Sequence, residues 1–270
     1  MPAAPPAPPD PAAWFDARVR PLAVHGPAGD DATDTWIPVG APPSEGTLAT
    51  IEERAAAEQE APPRVALTWA AGGLAGMAAT ALTVAAVRDG VVIRAGLERP
   101  AGPEGWIRDM RLRDGVVAVG GDHPWSGAPG VGHVPDGVLG RAVAEAVVEV
   151  CGPVVAALAA RSRRGRPGLW AQVADAVGHA AAAVCAADPG RRHATVIAGV
   201  TGVLGAAGAP WPARPVLRSV PAPGGPVMVV HRGSCCLAYR CGADAAYCAT
   251  CLFRPPGEVA ERVVAHAAGA

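Results

Sequence analysis

The feature that most restricts this chain is a cysteine-rich segment near its C-terminus, between residues 234 and 252. Five of the seven cysteines lie in this segment, whereas the other two stand singly within apolar runs. The five are Cys235, Cys236, Cys241, Cys248 and Cys251, and the two isolated ones are Cys151 and Cys185. Thiols gathered at this density indicate a disulfide framework, a zinc site or an iron–sulfur cluster.

A disulfide framework is the weakest of these three interpretations. Adjacent cysteines such as Cys235 and Cys236 cannot readily bridge each other, because a disulfide requires separated Cα atoms and a defined torsion. Residues Met1–Ala13 are rich in proline and alanine and lack the basic and apolar regions of a secretory signal. We therefore expect a reducing, cytoplasmic location, in which structural disulfides are rare.

A zinc site and an iron–sulfur cluster place different demands on the spacing of these cysteines. Zinc takes four ligands in a closed tetrahedron, and Cys248 with Cys251 supplies one suitable pair. The neighbours Cys235 and Cys236 converge poorly on one small ion, while pairing Cys236 with Cys241 leaves Cys235 unused. A [2Fe–2S] cluster has two irons and accepts four thiolates from different directions, so it suits an adjacent pair followed by a distant Cys-x2-Cys.

The cysteine segment resembles the C-terminal motif of the ferric siderophore reductase family, of the ferrioxamine B reductase type. That motif consists of two adjacent cysteines, a spacer and a final Cys-x2-Cys. Here the spacer between Cys236 and Cys248 holds eleven residues, one more than is usual in the family. Arg232 and the run Leu237–Arg240 flank the adjacent pair in the manner of the family, and Leu169–Ala176 is a second, independent similarity.

This resemblance implies a cytoplasmic oxidoreductase of iron homeostasis, which passes one electron to a ferric siderophore or related ferric chelate and so releases Fe(II). The hard oxygens of such chelators hold Fe(III) far more tightly than Fe(II), so one electron loosens the metal without breaking the ligand. The implied cofactor is a [2Fe–2S] cluster, and the electron donor is a separate ferredoxin, flavodoxin or flavin reductase. The implied cluster ligands are Cys235, Cys236, Cys248 and Cys251, with Cys241 as the substitute for one of them.

Two arginines, Arg232 and Arg240, bracket the adjacent cysteines and are expected to dock the substrate or the donor. Positive charge near a cluster also favours its reduced state. The alternative interpretation places these arginines in ordinary surface ion pairs, with Asp244 and Glu258 as partners. His231 is the histidine to consider beside the cysteines, because histidine replaces cysteine on one iron of some clusters.

The main alternative function is non-enzymatic: a zinc-stabilised binding module or an accessory protein that handles siderophores. The formal net charge is −1, so no nucleic-acid partner is expected. No dinucleotide-binding or phosphate-binding loop motif occurs, so we expect the chain to bind neither NAD(P)H nor flavin itself. Trp106 and Trp125 flank the predicted β section and are candidates for the wall of a chelate cleft.

Hydrophobic periodicity predicts a mostly helical α+β fold with a small antiparallel β section and a short C-terminal iron–sulfur-binding element. Three parts are expected: a partly disordered Pro/Ala-rich segment over 1–61, an α+β domain over 62–225, and a cluster-binding element with a closing helix over 226–270. The charge-free run Val65–Val87 is long enough to span a membrane. Its Ala, Gly and Thr content favours buried helices, so we expect no stable span and at most peripheral membrane association.

Local patterns predict the individual elements. Thr50 with Glu53 fits a capping box for a helix at Leu48–Glu60, and Asp114-Gly115 predicts a hairpin that returns along Val116–Val119. The remaining predictions are helices at Val138–Arg163, Gly168–Ala187 and Arg191–Ala207, a proline-punctuated linker at Pro210–Pro226, a strand at Val227–His231, and a closing helix at Pro255–Ala268 with Val259, Val263 and Val264 inward.

Overall fold

The computed structural model describes residues 10–23, 35–101, 107, 109–162, 164–242 and 246–269. About 54% of the chain is helix and 12% is strand, which confirms the predicted mostly helical α+β class. The helices are α1 Pro11–Arg18, α2 Arg20–Ala23, α3 Glu45–Gln59, α4 Pro63–Ala70, α5 Met77–Asp89, α6 Leu139–Arg161, α7 Gly165–Ala187, α8 His193–Leu204 and α9 Pro256–Gly269. The strands are β1 Trp36–Pro38, β2 Val91–Ile93, β3 Leu97–Pro100, β4 Arg111–Leu112, β5 Val117–Val119, β6 Val131–His133, β7 Val216–Val220 and β8 Val227–His231.

The long apolar helices α5, α6, α7 and α8 pack on one another and form most of the core. Val147, Val177 and Val200 are fully buried in it. Small residues let the helices approach closely: a Cβ on Gly140 would lie only 2.6 Å from the carbonyl carbon of Gly202. Helices α6, α7 and α8 confirm the three longer helices that the apolar spacing predicts.

Helix α1 contributes to the same core. Trp14 and Phe15 are buried in it, and the indole nitrogen of Trp14 donates to Asp89 Oδ2 at 3.1 Å. Trp125 is buried and packs edge-on against Trp14, with ring centroids 5.5 Å apart. Trp106, the other candidate for a cleft wall, lies outside the described residues. The division of the chain into three parts stays a prediction.

The charge-free run forms one helical stretch, from α4 through the π-helical segment Ala71–Gly76 into α5. Its buried threonines find acceptors inside the helix: the Thr80 hydroxyl donates to Gly76 O at 3.0 Å and the Thr83 hydroxyl to Ala79 O at 2.7 Å. A threonine bonded in this way can be buried at little cost, because its hydroxyl keeps a partner away from water.

Within the described part of the chain, three helical stretches are long and apolar enough to cross a membrane, judged by length and composition only. They cover residues 63–89, 139–161 and 165–187, with mean hydropathies of 1.6, 1.9 and 1.2 in their most apolar windows. Within those windows 83%, 50% and 72% of the residues are buried inside the protein. That burial agrees with packed helices, and the expected lack of a stable membrane span stays a prediction.

The strands form three small sheets, with the orders β1-β3-β4, β2-β5-β6 and β7-β8. All the pairings are antiparallel except that of β5 with β6, which is parallel. The hairpin predicted at Asp114-Gly115 is wrong, because β4 pairs with β3 in one sheet and β5 pairs with β2 in another. Asp114 has φ 47°, so the chain does turn there, but it passes from one sheet to the next.

Helix α3 begins earlier than the sequence predicts. Ser44 is its N-cap, and the Ser44 hydroxyl accepts a hydrogen bond from Thr47 N at 3.1 Å. The capping box predicted at Thr50 and Glu53 is therefore wrong. Thr50 lies inside the helix and donates its hydroxyl to Gly46 O at 3.0 Å. Ser44 lies six residues before Thr50, and serine is the better N-cap of the two residue types.

Strands β7 and β8 form the hairpin that leads to the cysteine segment. Strand β8 lies where it was predicted, whereas the linker predicted over Pro210–Pro226 is wrong because it contains β7. Most of β7 is exposed, so the sequence shows no apolar alternation there. Helix α9 packs on β8. Val259 of α9 is fully buried, but Val263 and Val264 are only half-buried, which corrects their predicted inward position.

The contact of α7 with the β7–β8 hairpin requires glycine at position 178. A Cβ there would lie 2.5 Å from Pro215 Cγ and 3.4 Å from Val230 Cγ1, so helix and hairpin would have to separate. We expect Gly178→Ala to lower the free energy of unfolding by about 1–3 kcal/mol in urea denaturation. The control, Gly202→Ala on the exposed side of α8, meets only an atom 4.0 Å away, and we expect a gain of up to about 1 kcal/mol. Equal effects of the two substitutions would contradict this explanation.

Candidate functional site

The cysteine segment runs from the end of β8 through an irregular loop to α9. Gly233 passes so close to Arg214 that a Cβ would stand 2.5 Å from the Arg214 carbonyl oxygen. Leu237 has φ 65°, a left-handed conformation that reverses the chain directly after the adjacent cysteines. Cys248 to Cys251 form a turn, closed by a hydrogen bond from Cys251 N to Cys248 O at 3.1 Å.

The two halves of the cysteine motif meet in space. Arg232 N donates to Thr250 O at 3.1 Å, and Cys236 Sγ lies 4.0 Å from Cys248 Sγ. A tetrahedral metal with sulfur bonds of about 2.3 Å holds two of its sulfur ligands about 3.8 Å apart. Cys236 and Cys248 therefore stand at the separation of two ligands on one metal.

Three of the implied ligands, Cys235, Cys236 and Cys248, have shifted pKa values. A hydrogen bond with the Cys248 thiol, together with the positive charge of Arg232, lowers the pKa of Cys236 to about 5. The same contact raises the pKa of Cys248. Burial raises the pKa of Cys235, and the nearby Cys236 and Cys251 raise it further. One thiolate, the form that binds metals, is thus available at neutral pH.

Cys241, the substitute ligand, is half-buried in the same loop. Burial raises the pKa of Cys241, and the charge of Cys236 raises it further. Among the described residues, no three His, Cys, Asp or Glu side chains converge as a site for one metal ion requires. Neither a four-ligand zinc site nor a complete cluster site is therefore preformed there. A two-iron cluster needs two thiolates on each iron, and the Cys236–Cys248 pair meets that requirement for one of them.

Asp175, in the middle of α7, holds the residues that precede the adjacent cysteines. Its side chain is 2% exposed and pairs with Arg232 Nε at 3.0 Å. It also accepts hydrogen bonds from Gly233 N at 2.7 Å, from Ser234 N at 3.2 Å and from the Ser234 hydroxyl at 2.5 Å. Four donors on one buried carboxylate fix the backbone immediately before Cys235.

Two further side chains hold the carbonyl groups of the adjacent cysteines. Gln172, one turn before Asp175 on α7, donates from Nε2 to Cys235 O at 3.1 Å. It also donates to the Ser234 hydroxyl and accepts from Arg232 Nη2. Trp69 of α4 donates from its indole nitrogen to Cys236 O at 3.0 Å. The position of the thiols is therefore set by helices far away in the sequence.

Arg232 and Arg240, the two arginines expected to dock a substrate or donor, occupy different environments. The Arg232 side chain is 15% exposed, and its charge is engaged by Asp175. Arg240 is exposed and lies over the ring of Tyr239, 5.3 Å from its centroid. Arg240 is thus the more accessible of the two, and docking by either stays a prediction.

The ion pairs considered as an alternative for these arginines are not found within the described part of the chain. Glu258 instead accepts a hydrogen bond from Arg254 Nη1, and Asp244 lies outside the described residues. Arg254 also donates to Cys248 O at 3.0 Å and to Tyr247 O at 2.5 Å. Arg254 therefore fixes the second half of the motif onto α9, as Asp175 fixes the first half onto α7.

Three aromatic rings gather at the surface of the cysteine loop. Tyr239, Tyr247 and Phe253 have centroids 5.2 to 6.2 Å apart, and Tyr247 and Phe253 are 43% and 53% exposed. We refer to these three residues, with Arg240, as the aromatic patch. Clustered rings that stay open to solvent are typical of interaction surfaces.

Arg164, in the turn before α7, is a site residue that the sequence did not reveal. Its Nε is buried and has no hydrogen-bond partner within the described part of the chain. Burial lowers the pKa of Arg164, while negative charge on Cys235 and Cys236 opposes that shift. Arg164 precedes α7, and Gly165 with φ 71° separates it from the regular helix, so no periodicity in the sequence links it to Gln172 and Asp175.

The two isolated cysteines and His231 are outside the hydrogen-bond network described above. Cys151 is buried and donates to Ala75 O at 3.1 Å, and burial raises its pKa to about 12. Burial likewise raises the pKa of Cys185 to about 11. His231, at the end of β8, pairs in register with Val216 of β7, and its buried Nε2 has no hydrogen-bond partner among the described residues.

A groove of about 570 Å³ opens beside the adjacent cysteines, between the helical stretch 63–89 and α7. One end of its lining is polar and includes Cys236 and Arg232. The other lining residues are mainly apolar or small, so the groove has room for a bulky ligand. Its walls include Trp69, Gly72, Met77, Ala176, His179 and Ala183.

Comparisons with protein-family models, with curated proteins and with solved structures find no match for this chain. The resemblance to ferric siderophore reductases therefore depends on the cysteine motif and on the stretch Leu169–Ala176. These two stretches are in contact, because Gln172 and Asp175 lie within the second and bind the backbone of the first.

Proposed function

We propose that this protein is a cytoplasmic one-electron reductase of ferric siderophores or related ferric chelates. The observation that carries the proposal is the position of Cys236. Its sulfur lies 4.0 Å from that of Cys248, and the same residue lines the groove. A residue that would hold the redox group thus forms part of the wall of the cavity in which a chelate would bind.

A second observation supports the proposal independently of the thiols. The two stretches that resemble the reductase family are about sixty residues apart in the sequence, yet they form one hydrogen-bonded unit. Asp175 and Gln172 from Leu169–Ala176 bind residues 232–235 of the cysteine motif. Two chance similarities would not be expected to meet in this way.

The thiols suit a [2Fe–2S] cluster arranged as two pairs. Cys236 and Cys248 stand at the separation of two ligands on one metal, and the more deeply buried Cys235 and Cys251 would supply the other two thiolates. Leu237 N donates to Cys235 Sγ at 3.3 Å, and such N–H donors stabilise the charge of a ligating sulfur. When bound, the cluster supplies a site that takes up and returns one electron.

The groove would hold the chelate against the Cys236 side of this centre. Trp69 provides an apolar wall, while Ala176 and Ala183 leave space beside it. The charge of Arg232 at the polar end is already balanced by Asp175, so the groove is not strongly charged. The proposed reaction needs no nucleophile or general acid, because the only chemical change is the reduction of Fe(III) to Fe(II).

The aromatic patch is the surface proposed for the external electron donor. Arg240 keeps its charge in solvent above Tyr239, where it would attract a donor protein with an acidic surface. The exposed rings of Tyr247 and Phe253 would add apolar area to such a contact. Ferredoxin, flavodoxin and flavin reductase are the donor classes to test.

Anaerobic purification tests the proposal directly. We expect a red-brown protein with about two irons and two acid-labile sulfides per chain. After reduction with dithionite and removal of the excess, each cluster should return one electron to one ferric hydroxamate, and an Fe(II)-specific dye should trap one Fe(II). A colourless protein with one zinc per chain would overturn the proposal and favour the zinc-stabilised or siderophore-handling alternative.

Filling the groove should separate chelate binding from cluster content. We expect Ala183→Phe to raise the KM for the ferric chelate at least about tenfold, which corresponds to about 1.4 kcal/mol of lost binding. Iron content and the visible spectrum should not change. The matched control is Ala187→Phe, an exposed residue of α7 that does not line the groove. Unchanged kinetics in Ala183→Phe would show that the chelate binds elsewhere.

A further inference from the structure

The Arg164 side chain lies across the first turn of α7. A Cβ on Gly168 would stand 2.5 Å from Arg164 Cγ and 2.6 Å from its Nε, so only glycine leaves this path open. Ser162 fixes the start of the turn, because its hydroxyl accepts from Arg164 N at 3.1 Å. The direction of the guanidinium is thus set by local packing.

The Arg164 side chain is directed toward the adjacent cysteines, Cys235 and Cys236. Gly168, Gln172 and Asp175 recur at helical spacing and so lie on one face of α7, and the Arg164 side chain lies against Gly168 on that face. Gln172 and Asp175 on this face bind Cys235 O and the backbone of Ser234. The Arg164 guanidinium therefore lies on the side of α7 that faces the sulfur atoms.

Arg164 is a cation without an ion-pair partner among the described residues. Asp175 is engaged by Arg232, at 3.0 Å, so Arg164 has no carboxylate of its own among the described residues. Its buried Nε–H also has no acceptor there. A buried charged donor without a partner is costly, so a structure that retains one points to negative charge supplied from elsewhere.

We propose that Arg164 is a positioning residue of the [2Fe–2S] site, whose charge and N–H donors face Cys235 and Cys236 and stabilise the reduced state. This inference rests on the proposed function. The cluster, when bound, would accept one electron from the reductant with no bond formed or broken. The added negative charge then lies beside a guanidinium that is already in place.

The experiment is a redox titration of the anaerobically purified full chain with dithionite and mediators, followed in the visible spectrum. We expect Arg164→Gln to retain its iron and sulfide. At a fixed potential, its ratio of reduced to oxidised cluster should be at least tenfold lower than that of the wild type. That change equals a downward shift of about 59 mV for one electron. Arg164→Lys, which keeps the charge but loses the Nε–H, should show a smaller shift.

Arg240→Gln is the control, because it removes an equal charge from an exposed position. Its shift should be less than half of that in Arg164→Gln. A loaded Arg164→Gln protein with an unchanged potential, or an equal shift in Arg240→Gln, would overturn the assignment. So would an Arg164→Gln or Arg164→Lys protein that folds, as circular dichroism shows, yet holds no iron, because Arg164 would then act in assembly. A wild-type protein without iron would instead refute the proposed function itself.

Discussion

Cys248→Ser is expected to reduce the iron content from about two atoms per chain to nearly none and to remove the visible absorbance. The Cys248 sulfur lies 4.0 Å from that of Cys236, so its loss breaks a thiol pair that stands at ligand separation. Serine keeps the size of the side chain but is a poor ligand for iron beside thiolates. Iron, sulfide and the spectrum of protein prepared without oxygen provide the measurement.

The same loss is expected in the serine variants of Cys235, Cys236 and Cys251, whereas Cys241→Ser should keep its cluster. Cys241 is the matched control, because it lies in the same loop and is half-buried like Cys248. Its thiol makes no hydrogen bond with another thiol among the described residues, whereas that of Cys248 lies 4.0 Å from Cys236 Sγ. Loss of absorbance in Cys241→Ser, with retention in one of the other four, would show that Cys241 is a ligand.

The helices could be predicted from the sequence because their apolar residues repeat over many turns. Helices α6, α7 and α8 each carry such a pattern, and their packing keeps it intact. The strands are at most five residues long, too short for a period of two to be distinctive. Strand β7 was missed because most of it is exposed and shows no apolar alternation. The Asp114-Gly115 turn was recognised, but the partners of its strands were not.

The candidate site could likewise be predicted only in part from the sequence. The thiols could be found from the sequence, because they lie within seventeen residues and their spacing carries the signal. Their supports could not, because Trp69, Arg164, Gln172 and Asp175 reach the segment from helices that are distant in the sequence. A local search for the partners of an arginine finds the nearest carboxylates along the chain, and the true partner of Arg232 lies 57 residues before it.

The two halves of the cysteine motif are therefore anchored differently. Asp175 in the buried helix α7 holds the first half, whereas Arg254 holds the second half through carbonyl groups near α9, which is largely exposed. The first half should be rigid in the absence of metal, and the second half should depend more on it. Asp175 is accordingly the side chain whose loss should affect the protein most.

Asp175→Asn should lower the free energy of unfolding by about 3–5 kcal/mol and prevent cluster assembly. The substitution leaves the Arg232 charge buried without its partner. It also turns an NH2 group toward donors, since Gly233 N, Ser234 N and the Ser234 hydroxyl all point at the carboxylate. Urea denaturation measures the loss of stability, and iron content measures the loss of assembly.

Asp188→Asn provides the control at the C-terminal end of the same helix. Asp188 pairs with Arg191 at 3.2 Å and is 43% exposed, so we expect a change within about 1 kcal/mol and normal iron content. Adding Arg232→Gln to Asp175→Asn should restore part of the stability, because no buried charge is then left unpaired. An Asp175→Asn protein as stable as the Asp188→Asn control, or a double variant that loses the sum of the two single effects, would show that the buried pair does not hold the motif in place.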